Sequence, residues 1–373
     1  MEDLTRRSVL KMMGAGAAAG AMAASPAALA GSRDKELNIL CWEGYNSAQV
    51  LDPFRKKYGA TVKAESATND PTMVNKIRAG ENKIWDLVNN NNPWARKMLR
   101  PEGFIKPLDE KVFAPYFDKM LPTFKYPYEW SMSLDGKQLI GMPQRFGPYN
   151  FVVDTDKISR KTAEEQGWHL WDDDSLDGKF GIQENDDWNV FDIFLIAGID
   201  PFKEHTPEEL EAFSKTAVRI FKNIKLIGDI AALNQAIVNG DIVAYLSGGT
   251  YTASPARLDG YSNIRAISPL HNSTMWVEIT ALVDNPNPTP LAEEFLKYVQ
   301  DPEVAHQVAF AEGTYNPVAQ MGNPDCFKLF TKEELDAIQY DTLEEEMSRS
   351  VAYNIVPDYD KAHDLMTEAK RQK

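Results

Sequence analysis

The sequence predicts an α/β fold of two lobes with a ligand cleft between them, joined by hinge crossings. Three observations lead there. Short apolar runs of strand length alternate with capped helical segments over residues 37–92. The same rhythm returns over residues 179–250 without any repetition of sequence. At 373 residues the chain is long enough for two separate hydrophobic cores.

The elements follow in order. Residues 37–42 read as a buried opening strand, and 50–58 as a helix closed by Gly59, with Pro53 starting or bending it. Residues 61–65 form a second strand. Thr68-Asn69-Asp70-Pro71 then caps a helix running to Gly80, with proline just inside its start. Residues 84–88 form a third strand, ending in the turn Asn89-Asn90-Asn91-Asn92-Pro93. In an open sheet of this kind the loops after the strands face a ligand crevice.

In the second half, 179–183 is a strand and Asp186-Asp187 opens a helix. Thr206-Pro207-Glu208-Glu209 is a capping box before a long amphipathic helix. Residues 230–238 are helical, and 242–246 form a strand entering Ser247-Gly248-Gly249-Thr250. That turn either presents backbone N–H groups to an anion or is a tight turn with a threonine cap. The crossings between lobes are residues 142–150, with Gly147-Pro148 at their centre, and 275–283. Helices over 291–299 and 304–311 lead to Gly313-Thr314-Tyr315-Asn316-Pro317. The last fifty residues are helical and charged, with Glu344-Glu345-Glu346 on a solvated face.

Composition narrows the function classes. Forty basic residues stand against 55 acidic ones, a net charge of −15, so nothing neutralises a phosphate backbone and no nucleic-acid partner is expected. A hydrophobic fraction of 43% with eight tryptophans excludes a disordered chain. The five histidines show no metal-ligand spacing, so no metal or other cofactor is expected. Cys41 and Cys326 read as buried and free. Residues 1–30 resemble a twin-arginine signal peptide: Arg6-Arg7 precede a weakly apolar run ending in Ala28-Leu29-Ala30. The expectation is export to the periplasm with cleavage near Ala30.

Several motifs in sequence order carry a family resemblance. They are Leu37 through Tyr45, Trp85-Asp86-Leu87-Val88, Met142-Pro143 with Phe146-Gly147, Asp186 to Phe191, Trp276-Val277-Glu278, and Ala292 to Pro317. Together they make the chain similar to family 1 extracellular solute-binding proteins of bacterial ABC importers, in the spermidine/putrescine branch. The resemblance implies a two-lobed periplasmic binding protein fold (type II-like), working as a monomer with an inner-membrane ABC permease. It implies one lobe of residues 31–146 plus 278–325 and another of 147–277 plus 326–373. It also implies a small cationic amine held by carboxylates and aromatic rings, with no chemistry done on it.

Carried onto this sequence, the aromatic walls are Trp42, Tyr45 and Trp276, and the acids are Asp186 or Asp187, Glu278 and Glu43. Asn91, Asn189 and Tyr315 join them as candidate contacts. The sequence departs from the branch at Gly44, Asn189, Leu246 and Thr314. Glu278, on a mostly apolar strand, needs either an internal arginine or a cationic ligand, and the ligand is the favoured reading. Arg145 opposes a polyamine but suits a solute bearing a carboxylate. Two other readings stay open: a zwitterionic or carboxylate-bearing solute held by Arg145, and a thiaminase-like enzyme on the same fold with Cys41 as nucleophile.

Overall fold

The computed structural model describes residues 33–67, 69–311 and 313–372. Residues 1–32, on which the expected signal peptide and cleavage site fall, and Thr68 lie outside them. No helix among the described residues is long and apolar enough to cross a membrane.

Ten strands matter for the site: β1 (Glu36–Cys41), β2 (Thr61–Ser66), β3 (Leu87–Asn91), β4 (Ile105–Lys106), β5 (Met142–Asp154), β6 (Phe180–Gln183), β7 (Leu226–Gly228), β8 (Ala244–Gly249), β9 (Ile264–Ile267) and β10 (Ser273–Val283). They hydrogen-bond in the order β2-β1-β3-β10-β5-β8-β6-β7, with β4 also on β10 and β9 on β5. β1 lies parallel to β2 and β3, and β6 lies parallel to β7 and β8. The long strands β5 and β10 run antiparallel to each other between these two sets, and β5 is buried at every position. Such continuous burial leaves no polar alternation for a sequence reader to use.

One core gathers Leu40, Phe54, Leu87, Phe146, Ile279 and Phe295; a second gathers Phe151, Ile182, Phe191, Phe194, Phe213 and Leu246. Local signals hold well. Ser47 accepts from Val50 N to start the Ala48–Tyr58 helix, and Gly59 closes it at φ 59°. The Thr206–Glu209 capping box is complete.

Two expectations are corrected. The third strand begins at Leu87 rather than at residue 84, and Ile84 is 42% exposed. Its last residues are the asparagines expected in a turn. Asparagine is depleted in strands, but here two of the amide nitrogens find buried acceptors: Asn89 Nδ2 donates to Thr280 Oγ1 at 3.0 Å and Asn91 Nδ2 to Asp70 Oδ2 at 2.8 Å, while the buried Asn90 amide has no protein partner among the described residues. The second correction concerns Glu346, which is not on a solvated face. It is 1% exposed, accepts from Thr342 Oγ1 at 2.8 Å, and lies 3.7 Å from Arg265.

Candidate functional site

Strand pairing assembles the centre of the site. Asn91 lies opposite Glu278 across the β3–β10 pair. On the other side of β10 the register shifts: Val277 faces Phe146 while Ile279 faces Pro143. Gln144 and Arg145 therefore stand against the single residue Glu278. Such a bulge re-aims side chains, and here it brings the arginine onto the glutamate. Trp276, two residues along β10, shares the face of Glu278 and lies opposite Gly147. Its ring comes 3.9 Å from where a Cβ on Gly147 would be.

Around this floor lies a chamber of about 210 Å³, lined among others by Trp42, Glu43, Asn91, Arg145, Gln183, Trp188, Tyr251, Trp276 and Glu278. It opens through Glu43, Ile230, Tyr251 and Thr314 into a wider mouth of about 730 Å³. Trp42 and Glu43 follow the end of β1. Asn91 and Gln183 end β3 and β6, and Tyr251 lies just past the end of β8. The site thus occupies the carboxyl ends of the parallel strands, where crevices of α/β sheets form.

The floor is electrically closed. Arg145 Nε donates to Glu278 Oε2 at 2.9 Å and Nη2 to Oε1 at 3.2 Å. Tyr45 OH donates to Oε2 at 2.7 Å, and the guanidinium lies 4.4 Å from the centre of the Tyr45 ring. Burial pushes the Glu278 carboxyl up while Arg145 draws it back down. Burial also works against the Arg145 charge, but Glu278, Tyr45 and Glu43 outweigh it and hold the pKa above the ordinary arginine value. The favoured reading of Glu278 is therefore corrected: its charge is met from within the protein.

The other candidate residues divide. Trp42, Glu43, Asn91, Arg145, Trp276 and Glu278 line the one chamber. Tyr45 is 2% exposed and lies behind the wall, supporting Glu278. Asp186 is held by Lys370 and by His363, the latter at 3.3 Å, and Asp187 accepts from Tyr359 OH at 2.6 Å. Both acids thus serve the C-terminal helix Tyr359–Arg371 and do not line the chamber. Asn189 donates to Gln183 O and accepts from Ser247 Oγ. Tyr315 OH donates to Glu334 at 2.9 Å. Neither lines the chamber.

The glycine turn does not offer free donors either. Gly249 N donates to Thr252 Oγ1 at 2.9 Å and Ser247 N to Asp192 at 2.8 Å. This is the tight turn of the two readings. Gly44 is explained by its φ of 89°, a conformation an acid there would strain.

Sequence reasoning missed Gln183, Trp188 and Tyr251. Their signal was position: each lies at or just beyond the carboxyl end of a parallel strand. Tyr251 meets Trp276 edge-on at 6.0 Å, and Trp188 packs on Tyr149 at 4.1 Å. The aromatic wall is consequently broader than the motif residues alone.

Beneath Asn91 lies Asp70, 5% exposed, accepting from both the backbone and side-chain nitrogens of Asn91. Burial pushes its carboxyl up to about 8. A carboxyl raised this way favours the fold fully below its ordinary pKa, and that contribution is lost as pH rises through the folded value. Melting temperature should fall from about pH 4 to about pH 8, and Asp70→Asn should flatten part of that fall. Identical pH profiles for the two proteins would remove Asp70 from the account.

Cys41 is buried and unpaired, and burial pushes its thiol up to about 12. It lines neither cavity. A thiol held protonated makes a poor nucleophile, so the enzyme reading has no activated group at Cys41.

A two-lobed α/β protein with a small chamber at its strand ends is the architecture of a solute receptor. The chain belongs to the bacterial extracellular solute-binding proteins, whose family model matches residues 49–325. No curated protein sequence matches it. Solved structures share the fold. A Listeria monocytogenes protein superposes with TM-score 0.69 at 16% identity, covering 91% of this chain and 100% of its own. The spermidine/putrescine substrate-binding protein PotD of Streptococcus pneumoniae, solved with calcium and HEPES, gives 0.64 at 17% identity over 91% and 99% of the two chains. The binding protein MotA of A. tumefaciens B6, in complex with glucopine, gives 0.62 at 14% over 90% and 99%.

Proposed function

We propose that this protein is the periplasmic substrate-binding component of an ABC importer, exported by the twin-arginine route, and that its chamber takes a small organic amine. The observation that carries the ligand class is Glu43. Its carboxylate lines both chamber and mouth, yet makes no hydrogen bond or ion pair among the described residues. Beside it stand Trp42, Tyr251 and Trp276, whose ring faces attract a cation and cover its carbon chain. The fold neighbours include a spermidine/putrescine protein and a glucopine-bound one, so the chamber's own charge decides the class. A volume of about 210 Å³ suits a solute smaller than the drug-sized ligands of roughly 300–1,000 Å³ sites. In this reading residues 31–146 with 278–325 form one lobe, 147–277 with 326–373 the other, and they close over the solute. The core around Leu40, Phe54 and Phe295 falls largely in the first of these and the core around Phe151, Ile182 and Phe213 largely in the second, which supports that division.

A thermal-shift screen against amines, amino acids, betaines, thiamine and ferric iron tests the reading. An amine at a hundred times its dissociation constant should add about 2.7 kcal/mol of apparent stability. No shift with any amine, alongside a shift with ferric iron or a simple anion, overturns it.

A further inference from the structure

Resting on the amine reading, we propose that the solute is bipolar, with an ammonium held at Glu43 and a carboxylate received by Arg145. Arginine carries five donors on a planar fork, and Arg145 commits only Nε and Nη2 to Glu278. Its Nη1 has no hydrogen-bond partner among the described residues, and the side chain lines the chamber. One edge of the guanidinium is thus fixed by the floor while the other remains available to a ligand. A planar edge already held in place by an ion pair is a receptor for a carboxylate oxygen that needs no rearrangement on binding.

The same geometry argues against a diamine. Two ammonium groups call for two carboxylates, and the chamber supplies one that is unpaired. Both oxygens of Glu278 are taken by Arg145 and Tyr45. Asp186 and Asp187 are spent on the C-terminal helix, and Asp70 on Asn91. A second ammonium would meet the Arg145 guanidinium instead.

Three probes of one chain length separate these cases in isothermal titration calorimetry: 5-aminopentanoate, 1,5-diaminopentane and pentylamine. They share an ammonium at one end and differ only at the other. The expected order is 5-aminopentanoate at least about tenfold tighter than pentylamine, with the diamine weakest, as one charge-assisted hydrogen bond implies. Arg145→Lys keeps a cation against Glu278 but lacks the second edge. Its preference for 5-aminopentanoate over pentylamine should shrink to about onefold, with an unchanged circular-dichroism spectrum confirming the fold. Equal or tighter binding of pentylamine or the diamine by the parent protein overturns the bipolar solute while leaving the amine reading intact. A preference retained in a folded Arg145→Lys protein also overturns it. No heat from any of the three removes the amine reading, and this one with it. Should the lysine variant not fold, the order among the three probes in the parent still decides.

Discussion

Alanine in place of Glu278 is expected to lower the unfolding free energy by about 3–5 kcal/mol, the cost of leaving a buried charge without its partner. The partner is Arg145, 2% exposed and fixed by the β5 bulge directly against the glutamate. The two residues lie on β5 and β10, the adjoining strands that link the two halves of the sheet. Tyr45 OH loses its acceptor in the same step. Urea unfolding measures the effect, and Glu278→Gln should fall between parent and alanine because it keeps the shape and one acceptor. An exposed pair such as Lys332–Asp336 is the comparison: its removal should leave the midpoint where it was. If Glu278→Ala unfolds at the parent midpoint, the ion pair contributes nothing to holding the sheet together.

Glu43→Gln should do the reverse, sparing stability and weakening whichever amine gives the largest thermal shift by roughly 10- to 100-fold. That range corresponds to about 1.5–3 kcal/mol for a hydrogen bond to a charged group. Glu43 makes no hydrogen bond or ion pair with the rest of the protein among the described residues, so the fold has little to lose. Asp186→Asn is the natural control. Its carboxylate faces Lys370 and His363, and amine affinity should be unchanged. Calorimetric titration of the three proteins decides the matter. An affinity loss at Asp186 with none at Glu43 would move the cation site to the start of the Asp186–Ile196 helix.

The outcome for individual residues shows what a sequence of this kind discloses. Caps and turns were readable because they act within four residues: Gly59, Thr206 and Glu209 each do what their local chemistry dictates. Trp42 and Trp276 stood out through their motifs, and both line the chamber, Trp42 just past the end of β1 and Trp276 inside β10. The third strand was misread because its buried asparagines depend on Thr280 and Asp70, both far along the chain or on another element. Glu278 was misjudged for the same kind of reason. Its partner is 133 positions away, and a register shift between two strands makes the contact. Asp186 and Asp187 carry every local mark of site acids, and only the return of the last helix reveals what they hold.

The aromatic wall has an optical consequence. Of the eight tryptophans, three line the chamber, and two of those, Trp188 and Trp276, are 8% and 5% exposed. An indole's emission follows the polarity and quenchers around it, so a solute displacing solvent from these rings writes its arrival into the protein's own fluorescence. The receptor therefore carries its own reporter, and occupancy can be followed in real time without a label on either protein or solute.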